Sequence, residues 1–283
     1  MKADLHLHTN ASDGRLSPVE IVETAIKVGL DVIAITDHDT VDGIVPALEA
    51  AKALPLLTVI PGVEINTDVT CGEVHILGYF IDYTDRKLAA SLVRLCNSRR
   101  ERALKMVDRL GELGMEIQWQ RVQELTQGGS VCRPHIAQAL LEKEYVISLK
   151  EAFDKYIGRN GPAYIEREKI VAVEAVKLIA KTNGLPVLAH PADIIDLDKL
   201  VCELKEAGLV GIEIFYGNYS SDVITDLLEV AEKYELIPTG GSDYHAFGDG
   251  SEVMIGGALA PSRSVEQLFD LADKHNLELI KHH

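Results

Sequence analysis

The chain has 283 residues, of which 47% are hydrophobic and 25% charged, a composition typical of globular proteins that excludes disordered and fibrous classes. Its formal net charge of −16 argues against a long nucleic-acid duplex as a partner, because an acidic surface repels phosphates. The sequence has no apolar run long enough to cross a bilayer and no signal peptide, so we expect no membrane association.

The first eighty residues alternate between strand and helix patterns. Ser17, Pro18 and Glu20 predict a helix with a capping box, which ends near Gly29. A second helix is predicted over 43–53. Strands are predicted over 3–8, 31–36, 56–60 and 74–80. Strands that alternate with helices pair in parallel through right-handed crossovers, so we expect a parallel sheet here.

The middle of the chain lacks a strand pattern. A helical pattern runs from Asp85 to Gly114, and further helices are predicted over 134–143 and 148–157. Glycine and proline at 158–162 then indicate a loop. We therefore predict a small α-helical insertion domain over 100–165, between two segments, 1–99 and 166–283, that form one domain.

The strand–helix alternation resumes after the insertion. Helices are predicted over 170–182, up to Gly208, over 220–235 and over 264–275, and strands over 185–190, 211–216, 236–243 and 277–280. The two outer segments together give about seven strand–helix units. This number favours a closed or nearly closed β/α barrel over an open sheet.

The four cysteines indicate a reducing compartment. They are widely spaced and form no CxxC motif: Cys71, Cys96, Cys132 and Cys202. We predict free thiols in a cytoplasmic protein.

Histidines and acids cluster at the predicted strand ends. His6 and His8 are two residues apart on a strand and therefore point to the same face, although an isolated pair is also typical of an exposed edge strand. Asp243 and His245 repeat this spacing after two glycines, which allow the backbone to approach closely. Active sites of β/α barrels lie at the carboxyl ends of the strands.

Nine side chains are candidate metal ligands, although a turn, a helix cap or a buried histidine would explain several of them singly. They are His6, His8, Asp13, His38, Glu64, His75, His190, Asp243 and His245. Nine ligands are too many for one ion and suit three cations that share Glu64. Imidazole mixed with carboxylate suits manganese, iron or zinc. Three divalent cations would make this region a positive site for a compact anion such as phosphate.

These motifs resemble those of the PHP (polymerase and histidinol phosphatase) superfamily, over most of 1–82 and 166–283. The resemblance implies a distorted (β/α)7 barrel with a trinuclear metal centre. It also implies three ligand sets, with Glu64 bridging the first two. These sets are His6, His8, Glu64 and Asp243; Glu64, His75 and His190; and Asp13, His38 and His245.

The insertion resembles the RNase AM-like branch of this superfamily, through Arg133, Pro134 and His135 and the segment 156–164. That likeness implies hydrolysis of the 3′-phosphate of 3′,5′-bisphosphonucleotides such as pAp, and trimming of short RNA from its 5′ end. Arg133 and His135 would then hold a substrate phosphate, with Arg159 as a third candidate. The alternative is that Arg133 pairs with an acid on the surface and His135 has no chemical role.

We therefore predict a metal-dependent phosphoesterase, with manganese as the first choice and iron or zinc as alternatives, in which a metal-bound hydroxide, rather than a side chain, is the nucleophile. Its partner would be a small phosphorylated nucleotide or a short oligonucleotide. Three alternatives remain. They are another phosphomonoesterase of the superfamily, such as histidinol-phosphate phosphatase; an amidohydrolase, which often needs a carboxylated lysine that we do not find at a strand end; and a metal-loaded module without activity.

Overall fold

The computed structural model describes residues 1–54, 56–69, 72–217, 219–248, 250 and 252–281, with backbone alone at 68–69, 72 and 276–281. Eight strands of this part form one sheet: β1 (Ala3–Leu7), β2 (Val32–Ile35), β3 (Thr58–Val69), β4 (Gly72–Tyr79), β5 (Ile170–Val171), β6 (Leu185–Leu188), β7 (Gly211–Tyr216) and β8 (Ile237–Gly241). Their order is β1-β2-β3-β4-β6-β7-β8, and the short β5 pairs with β3. Seven of the eight strands follow one another in this order, and the predicted barrel-like α/β architecture is confirmed.

Helices connect the strands and cover the sheet. Those in the described ranges are α1 (Pro18–Lys27), α2 (Ile44–Ala51), α3 (Arg86–Glu112), α4 (Trp119–Leu125), α5 (Arg133–Glu142), α6 (Leu149–Ala152), α7 (Ala172–Lys181), α8 (Leu197–Ala207), α9 (Ser221–Lys233) and α10 (Ser262–Lys281). A π-helical turn, Phe153–Ile157, follows α6, and a 3-10 turn, Pro191–Asp193, follows β6. Ser17 and Glu20 form the predicted capping box of α1. The helix α4 was not predicted.

The sheet is not parallel throughout. β4 runs antiparallel to both of its neighbours, with eight residue pairs joining it to β3 from Gly62–Tyr79 to Val69–Gly72. The prediction of parallel pairing is therefore wrong for this strand. A parallel connection needs a crossover of a dozen or more residues, whereas β3 continues to Val69 and leaves only two residues before β4.

The sheet closes between β1 and β8. The backbone amide of His8 donates to the carbonyl of Tyr244 at 3.1 Å, and that of Asp243 donates to the carbonyl of His6 at 2.9 Å. Ala260 also pairs with Ala3 at this junction. These contacts occupy the free edge of β1, where an eighth barrel strand would have to pair. The predicted strand over 277–280 is wrong, because α10 continues to Lys281.

Two apolar cores meet along α3. Leu88, Leu92 and Leu95 of its first half pack in a core with the barrel strands and α7–α9. Met106 and Leu110 of its second half pack in a separate core with α4–α6. The second core extends from Ala103 to Ala163. That 100–165 forms a domain of its own stays a prediction. No helix in the described ranges combines the length and apolar character needed to cross a membrane.

Candidate metal centre

The nine candidate ligands lie at one edge of the sheet. His6 is on β1, Glu64 on β3 and His75 on β4. Because β4 runs antiparallel to its neighbours, its first half lies at the same edge as the carboxyl ends of the parallel strands, which explains why His75 joins the others. The remaining six side chains follow β1, β2, β6 and β8: His8, Asp13, His38, His190, Asp243 and His245.

One group of potential ligands surrounds the carboxylate of Asp243. Nε2 of His8 lies 3.0 Å from Asp243 Oδ1 and 3.2 Å from Glu64 Oε2. Nε2 of His6 lies 3.3 Å from the same oxygen atoms of Asp243 and Glu64. One ligand atom from each of these four residues lies within 4.8 Å of the others. This is the set that the resemblance implied for the first cation.

Two further groups adjoin the first. His8, Asp13, His38 and His245 form one of them, which contains the complete third set implied by the resemblance. His38, Glu64 and His75 form the other. Nε2 of His190 lies 3.2 Å from both Glu64 Oε1 and His75 Nδ1, so the second implied set is also assembled. Glu64 therefore lies between groups, with both carboxylate oxygens facing imidazoles.

Several buried ligand atoms have no hydrogen bond. Among the described residues, they include His8 Nδ1, Asp13 Oδ1, His38 Nδ1 and Glu64 Oε2. In addition, Nε2 of His6 and Nε2 of His8 face each other at 3.1 Å. Buried polar atoms are almost always paired in proteins, because leaving one unpaired is costly. Divalent cations between these atoms would satisfy them, so the donor set fits several such ions.

The carboxylates and imidazoles shift one another's pKa. Burial lowers the pKa of His8, but the carboxylates of Asp243 and Glu64 outweigh it and raise the pKa to about 10. Burial prevails at His38 and lowers its pKa to about 4. Burial raises the pKa of Glu64, yet the surrounding histidines hold it well below its usual range. Without cations, the cluster therefore retains protons on some of its imidazoles at neutral pH.

Glu213, which the sequence analysis missed, supports two of the candidate ligands. It is fully buried on β7. Its Oε1 lies 3.0 Å from His6 Nδ1, and its Oε2 accepts the backbone amide of His190 at 2.9 Å. The hydroxyl of Tyr216, also on β7, donates to Asp243 Oδ2 at 2.9 Å. A charged residue between Ile212 and Ile214, inside an apolar strand, was the available signal.

The two aspartates beside His38 belong to no ligand group. Asp37 accepts hydrogen bonds from the backbone and hydroxyl of Thr9 and, at 2.6 Å, from Ser12. Asp39 forms buried ion pairs with Arg99 at 2.6 Å and Arg167 at 3.1 Å. Both acids therefore connect neighbouring segments of the chain beside the cluster.

The backbone is unusual at this edge of the sheet. Asp39 and Asp243 have φ values of 54°, and His190 has a φ of 26°. Such left-handed conformations are strained for most residues and are often found at functional sites. At Gly241, a Cβ atom would lie 2.4 Å from the Cβ of His6. Only glycine therefore allows β8 to approach β1 this closely, as predicted from the two glycines.

The three candidate substrate-binding residues differ in their positions. Arg133 donates to Glu73 Oε2 at 3.1 Å, and Glu73 in turn lies 3.9 Å from His75 Nε2, so this arginine adjoins the cluster. His135 is buried and its Nδ1 accepts the backbone amide of Cys132, which caps α5. Arg159 is exposed in the loop after the π-helical turn, and no hydrogen bond or ion pair in the described chain joins it to the cluster.

Comparisons with known proteins agree with this geometry. The PHP domain model matches residues 4–174. The 5′-3′ exoribonuclease Rnm of Escherichia coli is 34% identical over 247 residues, 86% of this chain and 84% of that protein. The 3′,5′-nucleoside bisphosphate phosphatase of Chromobacterium violaceum is 31% identical over 259 residues, 87% and 88% of the two chains. A crystal structure of a protein from Bifidobacterium adolescentis superposes on this chain with a TM-score of 0.88; that protein is named by inference as a metal-dependent phosphoesterase. The two chains are 28% identical, and the superposition covers 95% of this chain and 96% of that one.

Proposed function

Because the chain belongs to the PHP domain family and is, like its relatives, a phosphoester hydrolase, we propose that it releases the 3′-phosphate of 3′,5′-bisphosphonucleotides such as pAp. Trimming of short RNA from the 5′ end is proposed as a second activity. The observation that carries the proposal is the convergence of nine imidazoles and carboxylates around Glu64, beside Arg133.

The proposed cofactors are three divalent cations, with manganese as the first choice and iron or zinc as alternatives. The first would be held by His6, His8, Glu64 and Asp243, the second by Glu64, His75 and His190, and the third by Asp13, His38 and His245. Bound cations would lower the pKa of water toward neutrality and offset the charge of the phosphoryl oxygens.

The side chains of this protein would hold and orient the reactants. We assign Arg133 and His135 to a substrate phosphate. Arg133 already pairs with a carboxylate, and like a carboxylate a phosphate offers two anionic oxygens to a guanidinium. Phe153 and Tyr164 flank this guanidinium at 5.6 Å and 6.0 Å. Arg159 would act only on longer substrates, because it is exposed. No side chain is proposed as the nucleophile, which we assign to water.

We further propose that the insertion, 100–165, covers the substrate. Two contacts support this position. The backbone amide of Ser130 donates to the carbonyl of Ala11 at 2.9 Å, and Arg15 donates to Gln138 at 2.6 Å. Ala11 and Arg15 flank Asp13 in the loop after β1, so the insertion adjoins the metal centre. The cytoplasmic location stays a prediction.

Phosphate release from pAp after thorough chelation, and again after manganese is returned, tests the proposal. We expect activity to vanish with chelation, to return with manganese, and to yield 5′-AMP. Activity that survives metal removal would contradict the mechanism. Faster turnover of histidinol phosphate than of pAp would favour the alternative phosphomonoesterase, and bound metal without turnover of either compound or of 5′-phosphorylated RNA would favour an inactive module.

A further inference from the structure

Arg102 is a buried arginine that has no hydrogen-bond or ion-pair partner among the residues that the structure describes. It lies on α3 one turn beyond Arg99, and only 4% of it is exposed. Its Nε has no hydrogen bond, and no carboxylate in the described part of the chain forms an ion pair with its guanidinium. A buried charge is almost always paired, since an unpaired one costs several kcal/mol. This exception therefore indicates a missing anion.

The charges around Arg102 are mostly positive. Burial and the nearby guanidinium groups of Arg99, Arg133 and Arg167 lower its pKa to about 9, so that it still carries its charge at neutral pH. The acids that pair with these neighbouring arginines already have their partners. Asp39 pairs with Arg99 and Arg167, and Glu73 pairs with Arg133 at 3.1 Å. The group formed by these four arginines and two acids thus contains more cationic than anionic side chains, within a chain whose net charge is −16.

A cavity of about 350 Å³ opens beside this group of arginines, between α3 and residues 166–168. Its volume is within the range of small-molecule sites, which is roughly 300–1,000 Å³. Donors line it: Arg94, Asn97, Ser98, Arg102, Lys105 and Arg167. Its three acids, Glu101, Glu166 and Glu168, are all exposed; Glu168 lies 3.8 Å from Arg94 and Glu166 lies 3.5 Å from Lys169.

We propose that this cavity is a phosphate-binding site built on Arg102, separate from the metal centre. Its ligand is a phosphate group, carried by a nucleotide or free in solution. A guanidinium presents paired N–H donors that match two phosphate oxygens, and a phosphate here would provide the negative charge that the cluster lacks. Binding at this site requires neither cations nor turnover, so it is independent of the proposed function.

Titration of inorganic phosphate into the metal-free protein, followed by calorimetry, tests the site. We expect the wild type to bind phosphate and Arg102→Met to bind it at least 10-fold more weakly. Lys105→Met, a change at an exposed residue of the same cavity, should weaken binding about 2- to 5-fold. Arg109→Met on the same helix, where Arg109 pairs with Glu112, is the matched control and should bind like the wild type. No binding by the wild type, or equal binding by all four proteins, would overturn the proposal.

Thermal unfolding in phosphate-free buffer separates a binding role from a structural one. Removing an unpaired buried charge should leave the melting temperature of Arg102→Met equal to that of the wild type or higher. Added phosphate should then raise the melting temperature of the wild type but not that of the variant. A variant that melts several degrees lower without phosphate, or that fails to fold, would show that Arg102 is structural and would overturn the proposal.

Kinetics with the manganese-loaded enzyme distinguish the two sources of phosphate. If a nucleotide carries it, Arg102→Met should lower kcat/KM at least 10-fold for pAp and leave it unchanged for 3′-AMP, which has no 5′-phosphate. An unchanged ratio of the two kcat/KM values assigns the site to free phosphate. Should the enzyme turn over neither substrate, the proposed function fails, while the titration of the metal-free protein still decides whether the site exists.

Discussion

His6 and Glu213 form a buried pair inside the barrel, with His6 Nδ1 3.0 Å from Glu213 Oε1. A proton held on Nδ1 by this contact leaves Nε2 free to accept a cation, which is how a second layer of residues selects the tautomer of a ligand. The other oxygen of Glu213 accepts the backbone amide of His190. One carboxylate therefore orients candidate ligands from two strands.

Replacing Glu213 with glutamine should weaken cation binding. A glutamine is neutral and replaces one acceptor oxygen with an NH2 group, which would face either His6 Nδ1 or the backbone amide of His190, and both of these donate. We expect manganese affinity to fall about 10- to 100-fold, the usual effect of losing such a support. Competition with a metal-sensitive dye measures it. Glu203→Gln, an exposed change on α8, is the control, and equal affinity in the two variants would contradict the role of Glu213.

Replacing Gly241 with alanine should destabilise the fold at the closure of the barrel. The added Cβ would lie 2.4 Å from the Cβ of His6 and 2.5 Å from its backbone nitrogen, so β1 or β8 must move. Overpacking of this kind costs about 1–3 kcal/mol. Chemical denaturation measures the free energy of unfolding.

Gly111→Ala is the control for this change, because open space surrounds Gly111 near the end of α3. It should stabilise the protein slightly, by up to about 1 kcal/mol, since alanine favours helices over glycine. If the two variants unfold at the same denaturant concentration, the close approach at Gly241 is not tight in solution.

Cation binding should release protons. Burial lowers the pKa of His75, but the carboxylates of Glu64 and Glu73 outweigh it and raise the pKa to about 9. The corresponding contacts raise the pKa of His8 to about 10. A cation needs the deprotonated imidazole, so its affinity should increase as pH rises toward these values. Calorimetry in two buffers of different ionisation enthalpy measures the protons released at pH 7.5, and identical heats in both buffers would contradict this expectation.

The same shifts should make the metal-free fold sensitive to alkali. A histidine whose pKa is raised by folding stabilises the fold fully below its unfolded value of about 6.5, and this contribution is lost as pH rises through the folded value. The melting temperature of metal-free protein should therefore fall between about pH 7 and pH 10. Melting curves across this range check it, and a flat profile would argue against charged His8 and His75.

Replacing Arg133 with methionine should impair use of pAp without loss of metal. Charge-assisted hydrogen bonds contribute about 1.5–3 kcal/mol, so kcat/KM should fall about 10- to 100-fold. Arg121→Met is a matched control, because Arg121 pairs with Glu142 on the outside of the same helical region. Steady-state kinetics and metal analysis measure the two effects. An unchanged kcat/KM would leave Arg133 as the structural partner of Glu73 only.

The sequence predicted the barrel-like fold and the nine side chains that meet, because polar residues directly after apolar strands have few structural explanations. It did not reveal Glu213, since a single acid inside an apolar strand carries no sign of which partner it faces. The orientation of β4 was missed because the predicted strand ended at residue 60, whereas β3 continues to Val69. The longer connection that this prediction left before β4 would have allowed a parallel pairing. The error at 277–280 has a different cause, since four residues with apolar character do not distinguish strand from helix.

The left-handed backbone at Asp39, His190 and Asp243 has a consequence for this protein's tolerance of heat. Each such residue lowers the stability of the folded state by on the order of 1–3 kcal/mol. Stripped of its ions, the enzyme should therefore unfold at a lower temperature, and ion uptake should raise its stability by mass action. In a cell that is short of metal, such a protein would be lost to proteolysis rather than stored in an idle form.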